Sequence, residues 1–253
     1  MAPEGRMLDW WQAPLSGAAT HAVAPDVAWH ARLMVLAWGL MIPVGVLWAR
    51  FWKVMPGQDW PRELDRPTWW NAHRGLQIAG VAIGAVAVTL VWSRVATTGA
   101  ATLHHALGWA VLAAGGVQIL HGFGRGTKGG PTAPTPRGDH FDMTRRRVVF
   151  ERVHKSLGWI VVMAAVAAIL SGLVVADAPR WMLAVLLLWW GGLVAALVHW
   201  QRSGRALDTY QAIWGTDPAL PGNRRPPIGW GIARGSVAAA RVRRDGREKR
   251  GAR

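Results

Sequence analysis

Trp181-Met-Leu-Ala-Val-Leu-Leu-Leu-Trp-Trp-Gly-Gly-Leu-Val-Ala-Ala-Leu-Val-His-Trp200 runs for twenty residues without a single charge. As a helix rising about 1.5 Å per residue, such a run covers the ~30 Å hydrocarbon core of a bilayer. Four more blocks of similar length and apolarity lie upstream, at about 30–50, 73–92, 104–123 and 154–175. Lettered A to E in chain order, the blocks predict an all-α integral membrane protein, a five-transmembrane-helix bundle. Arg32 sits near the start of A, where it can snorkel to the interface, and Pro43 predicts a kink or local break in that span. Trp at many block ends, and the pairs Trp69-Trp70 and Trp189-Trp190, suit interfacial belts.

Composition agrees. Of 253 residues 51% are hydrophobic, only 17% are charged and 18 are Trp, with a net charge of +15 carried mostly by the connections. That pattern excludes a disordered chain and a water-soluble globule. The chain has no Cys, which removes disulfides, iron–sulfur clusters, thiolate zinc sites and covalent haem attachment. Nine His remain for chemistry. Counting Arg50, 23 Lys and Arg fall in the A–B loop, the C–D loop and the segment after Trp200; only three, Arg6, Arg94 and Arg180, fall on the other side. The positive-inside rule then puts the C-terminus in the cytoplasm and the N-terminus outside. Residues 1–28 read as an extracytoplasmic leader without a signal-peptide core. Residues 29–201 read as the transmembrane domain. Residues 202–253 read as an irregular basic cytoplasmic tail that meets anionic lipid headgroups. The C–D connection, 124–152, reads as an irregular basic loop. No aromatic platform accompanies the positive charge, so nucleic acid is not an expected partner.

Four His open spans, and each is followed by Leu three residues on: His30-Ala-Arg-Leu33, His73-Arg-Gly-Leu76, His104-His-Ala-Leu107 and His154-Lys-Ser-Leu157. The repeat selects His104 over its neighbour His105. Successive spans alternate in direction, so His30 can meet His104 at the outer side and His73 can meet His154 at the cytoplasmic side. Two neutral imidazoles from different helices complete the coordination of a b-type haem, whose porphyrin supplies the four equatorial nitrogens. The expectation is two non-covalent, bis-histidine haem b groups in a four-helix haem-binding core, with irons roughly 20 Å apart. Gly80, Gly84, Gly108, Gly115, Gly158 and Ala165 leave room for a flat macrocycle, and Met34 and Met41 can pack on one. Gly80-x-x-x-Gly84 reads equally well as ordinary helix packing. Arg145, Arg146, Arg147 and Lys155 are the cations nearest in sequence to the inner site and candidates for its propionates. His121 is the rival ligand there, in competition with His73 or His154. His105 reads as structural, His140 as a surface residue of the C–D loop, His199 as the end of E, and His21 as a leader residue with no partner.

At these residues the sequence resembles the cytochrome b561 family, in particular the core domain found alone in bacterial membrane proteins. The matching stretches are His30-Ala-Arg-Leu-Met-Val-Leu-Ala-Trp-Gly with Pro43 and Ala49-Arg50-Phe51, His73-Arg-Gly-Leu-Gln, His104-x-x-x-Gly and His154-x-x-x-Gly, within about Trp29 to Trp200. The resemblance implies four His binding two b haems, His30 with His104 and His73 with His154. It also implies electron transfer across a membrane, in that family often from ascorbate to monodehydroascorbate or ferric iron. Ala31 stands where the family commonly has Gly, and an extracellular domain of the kind that some members carry before the core is not expected from residues 1–28. The resulting expectation is an electron-transfer oxidoreductase of a bacterial cytoplasmic membrane. Its partners are lipids and an unassigned donor and acceptor, either small molecules of ascorbate-like or quinone type or proteins, with a homodimer left open. Two other readings stand beside it. One is a haem-binding sensor or assembly factor. The other is a non-redox scaffold or small transporter that uses His for packing or proton relay. No Asp or Glu falls inside a block, which weighs against a proton-coupled transporter.

Overall fold

The computed structural model describes residues 3–18, 22–94, 99–129 and 137–235. Among them the elements are helical and no strand occurs. They are α1 (Pro3–Gln12), α2 (Pro25–Met34), a π-helical segment (Val35–Met41), α3 (Ile42–Phe51), α4 (Thr68–Thr89), α5 (Gly99–Phe123), α6 (Arg145–Val175), α7 (Arg180–Arg202) and α8 (Thr209–Trp214), with a 3-10 turn at Pro221–Arg224. Among the described residues four helices are long and apolar enough to cross a membrane: the continuous Pro25–Phe51, α5, α6 and α7. Helix α4 is a fifth long helix of 22 residues. Its first turns carry Asn71, His73, Arg74 and Gln77, which dilute its apolarity. The chain is an all-α, multi-pass membrane protein.

Each helix begins before its apolar block, and α6 does so by nine residues, at Arg145 rather than His154. Thr144 explains that start, because its Oγ1 accepts the Arg147 N–H at 3.3 Å and satisfies an otherwise orphaned donor. Hydropathy marks where a helix enters lipid, whereas capping marks where it begins.

Pro43 acts on the backbone as expected. It has no N–H to give, so the carbonyl four residues back, that of Gly39, loses its helical donor. The chain widens into the π segment just before Pro43, and the Ile42 N–H reaches the Ala37 carbonyl. The Gly39 carbonyl instead accepts the indole N–H groups of Trp189 and Trp190, each at 3.1 Å. The belt expectation is therefore corrected for this pair, whose polar ends bind a kink in a neighbouring helix. Just after the π segment, Ile42 meets α4 at Gly80, where an added Cβ would stand 2.9 Å from its side chain.

The chain divides into two compact units, each drawing segments from the long helices: Met1–Pro43 with Gln77–Gly116 and Ile160–Ala195, and Val44–Leu76 with Val117–Trp159 and Ala196–Arg253. In the first unit the core is built on Trp38. A Cβ on Gly84 would stand 2.6 Å from its Nε1, and one on Gly115 would stand 2.5 Å from its Cη2. Gly80, Gly84 and Gly115 thus admit Ile42 and Trp38, and the reading that they make room for a macrocycle is corrected at these three positions. In the second unit the connections themselves fold. Val54, Trp60, Leu207 and Ala212 form one buried cluster, and Met143, Tyr210, Ile213 and Trp214 form another. Asp208 starts α8 by accepting the Tyr210 N–H at 3.3 Å, and Gly215, at φ 88°, ends it. The C–D loop and the segment up to residue 235, both expected to be irregular, contribute to this small core. Its apolar residues are scattered among Pro, Gly and Arg, so no period announces them. His21 and the arginine-rich run 241–253 lie outside the described residues.

Candidate functional site: two histidine pairs

His30 stands in α2 and His104 in α5. The His30 Nδ1 lies 2.9 Å from the carbonyl of Ala87, in the last turn of α4, where helix carbonyls have no partner of their own. The His104 Nδ1 lies 2.9 Å from the Ala168 carbonyl of α6, with the Ser171 hydroxyl at 3.4 Å. Gly172 makes that approach feasible, because a Cβ there would stand 2.8 Å from the His104 Cε1. Carbonyls only accept, so each Nδ1 carries the proton and each Nε2 keeps its lone pair. The two rings are 6.2 Å apart between centroids, with planes at 87°.

The second unit repeats the arrangement. The His73 Nδ1 donates to the Gly45 carbonyl of α3 at 3.0 Å. Its ring is 6.2 Å from that of His154, at 85°. The His154 ring stacks on Phe150 at 5.2 Å, and its buried Nδ1 has no hydrogen-bond partner. Gln118 ties α5 to α6 at this level by donating to the His154 carbonyl at 2.9 Å.

Imidazoles that ligate one metal from opposite sides stand about 6 Å apart between centroids, from ~2 Å of metal–nitrogen bond and ~1 Å of ring on each side. Both pairs meet that distance. Three of the four rings also have the Nδ1–carbonyl bond that typically orients metal-bound His. Among the described residues no group of three or more His, Asp or Glu could hold a bare ion. Two donors per site suit a group that brings its own equatorial ligands, as a porphyrin does, and the pairs therefore fit b haem.

A cytochrome b561 and DOMON domain-containing protein of Arabidopsis thaliana is 29% identical to this chain over 146 residues, 57% of the chain and 27% of that relative. The chain has distant cytochrome b561 relatives. A cytochrome b561, DM13 and DOMON domain-containing protein of the same plant is 24% identical over 158 residues, 62% of the chain and 16% of that relative. The chain thus spans about a quarter or less of the length of the curated relatives it matches. No family model matches, and no solved structure does.

The other His separate clearly. His105 and His199 are exposed. His121 is a real neighbour of the second pair, 6.2 Å from His154 at 45° and 4.8 Å from Phe150. Distance alone therefore does not distinguish His73 from His121; the carbonyl bond of His73 does. His140 is fully buried, which overturns its surface reading. Its Nδ1 lies 3.2 Å from a Glu151 oxygen and its ring 5.4 Å from Tyr210. Burial pushes the His140 pKa down, against the pull of Glu151, and holds the ring neutral. Arg147 donates to Glu151 at 3.0 Å, Lys155 donates to Glu151 at 2.7 Å and to the Ile228 carbonyl at 2.9 Å, and Arg146 donates to the Gly124 carbonyl at 2.8 Å. Three of the four cations expected near propionates are thus engaged by protein, while Arg145 is exposed.

Lys53, just past α3, is buried and donates to the carbonyls of Leu207 and Arg50 at 3.1 and 3.3 Å. Burial, with Lys155 nearby, lowers its pKa to about 7. The unfolded chain then binds a proton that the folded chain has released, so stability should rise with pH from about 7 to 9.5, by about tenfold in the folding equilibrium per unit. The thermal midpoint in detergent should climb over that range and lose most of the climb in Lys53→Met. A midpoint that falls with pH in the unaltered chain would refute a neutral Lys53.

Proposed function

We propose that the chain holds two haem b groups, one between His30 and His104 and one between His73 and His154, and carries electrons across the membrane between them. The observation that carries the reading is the match between the pairs, each with rings 6.2 Å apart on different helices. The cytochrome b561 relatives support b-type haem and electron transfer in a membrane. When bound, haem supplies reversible one-electron chemistry. The protein contributes the rest. His30, His73 and His104 present Nε2 lone pairs in rings whose orientation is set by main-chain carbonyls, so little has to reorganise when the charge changes. Apolar helices exclude water from the sites. The basic connections support a reading in which the C-terminus is cytoplasmic and the His30–His104 pair lies toward the outer face of the membrane. Small molecules of ascorbate or quinone type, or partner proteins, would serve as donor and acceptor.

A pyridine haemochrome assay on the purified chain should find two b haems per chain, and a redox titration should resolve two six-coordinate centres. In liposomes loaded with ferricyanide, external ascorbate should bleach the trapped oxidant through the protein. Two haems without bleaching would turn the reading to a haem-binding sensor. No haem, in protein made with haem available, would leave a non-redox helical bundle.

A further inference from the structure

The first helix is tied to one place on the molecule and yet exposes its apolar side. Just beyond α1, the Ala13 carbonyl accepts the Arg180 N–H at 3.1 Å, and the Leu15 N–H donates to the Ala178 carbonyl at 3.0 Å. Ser16 adds its N–H and its hydroxyl to the Asp177 carboxylate at 2.8 and 2.6 Å. These partners form the turn where α6 ends at Val175 and α7 begins at Arg180. Both helices are of membrane-crossing length, so the turn between them lies at a membrane boundary. The helix pinned to it is held at that level.

Its side chains fit the level. At 100° per residue, Trp10, Met7, Trp11 and Leu8 share one arc of α1, with Asp9 opposite. They are 53%, 66%, 38% and 65% exposed, so the described residues leave most of that arc uncovered. The Arg180 guanidinium sits over the Trp10 ring at 4.7 Å, a cation and an indole together at the height where phosphates and Trp side chains meet. A ten-residue helix has too little length to be stable alone in water, and the hydrogen bonds to the α6–α7 turn anchor its C-terminal end.

We infer that α1 is an interfacial helix lying in the lipid headgroup layer, with Met7, Leu8, Trp10 and Trp11 dipped toward the acyl chains and Arg180 beside a lipid phosphate. Its partner is the bilayer surface. The inference needs the membrane fold but not the haem proposal, and its test needs no haem.

The absence of native Cys makes each introduced thiol unique. Met7→Cys, Leu8→Cys and Asp9→Cys, in the full chain, would be labelled with bimane and placed one chain per phosphatidylcholine nanodisc. Lipid carrying a doxyl group near the headgroup should quench the labels at 7 and 8 about twofold or more, and the label at 9 much less. Aqueous iodide should show the reverse order. Equal iodide quenching at all three sites, without lipid quenching at 7 and 8, would overturn the inference. Lipid protection that appears only in discs holding two chains would also overturn it, in favour of a second copy on that face.

Discussion

His154→Ala should remove one haem and leave the other, halving the haem-to-protein ratio, and His73→Ala should do the same. His121→Ala should leave two. The contrast matters because His73 and His121 have rings at the same 6.2 Å from that of His154. A ligand must also be held. The His73 ring is fixed by its bond to the Gly45 carbonyl, which leaves Nε2 as its donor atom. His121 faces His154 at 45° and packs against Phe150. The pyridine haemochrome assay decides. One haem in His121→Ala with two in His73→Ala would make His121 the partner of His154. At the other site the same logic separates neighbours in sequence. His104→Ala should lose a haem, whereas His105→Ala, with an exposed ring, should not.

Gly172→Val should reproduce the loss caused by His104→Ala without altering a ligand. A Cβ at 172 would stand 2.8 Å from the His104 Cε1 and 3.1 Å from its Nδ1, closer than side chains tolerate. The ring cannot swing away without giving up the Ala168 carbonyl that sets its tautomer. Overpacking of this kind costs about 1–3 kcal/mol in folding, which a membrane bundle can absorb, so the expected effect is on the haem. One centre should vanish from the redox titration or change its spectrum. Gly172→Ala, which adds the same Cβ with nothing beyond it, should weaken the same haem and shift its potential to a smaller extent. Gly191→Val, in α7, is the control, since a Cβ there meets nothing within 4 Å. Two unperturbed haems in Gly172→Val would show that the Ala168 carbonyl does not govern His104.

The spans were legible because lipid demands long uncharged runs, and the His-x-x-Leu repeat identified the four rings that the structure brings together in twos. Other features were not legible. Gly84 and Gly115 looked like space for a cofactor because sequence does not reveal that Trp38 would fill it. His140 looked like a loop residue because its burial depends on Glu151 and Tyr210, distant in the chain. The carbonyls that orient the rings belong to Gly45, Ala87 and Ala168, whose side chains say nothing about the role of their backbone. One signal existed for Ala87, since it falls in the last turn of a helix, where carbonyls lack donors.

The Gly39 carbonyl has a consequence for how this chain can change over generations. Pro43 frees that oxygen, and Trp189 and Trp190 occupy it from 150 and 151 residues away. Losing the proline returns the oxygen to its own helix and leaves two indole N–H groups to find other acceptors. Losing both tryptophans leaves a main-chain oxygen bare in hydrocarbon. Neither step is neutral alone, so descendants of this sequence should keep or discard the proline and the tryptophan pair together. An alignment deep enough to contain both kinds would show the two regions changing in concert.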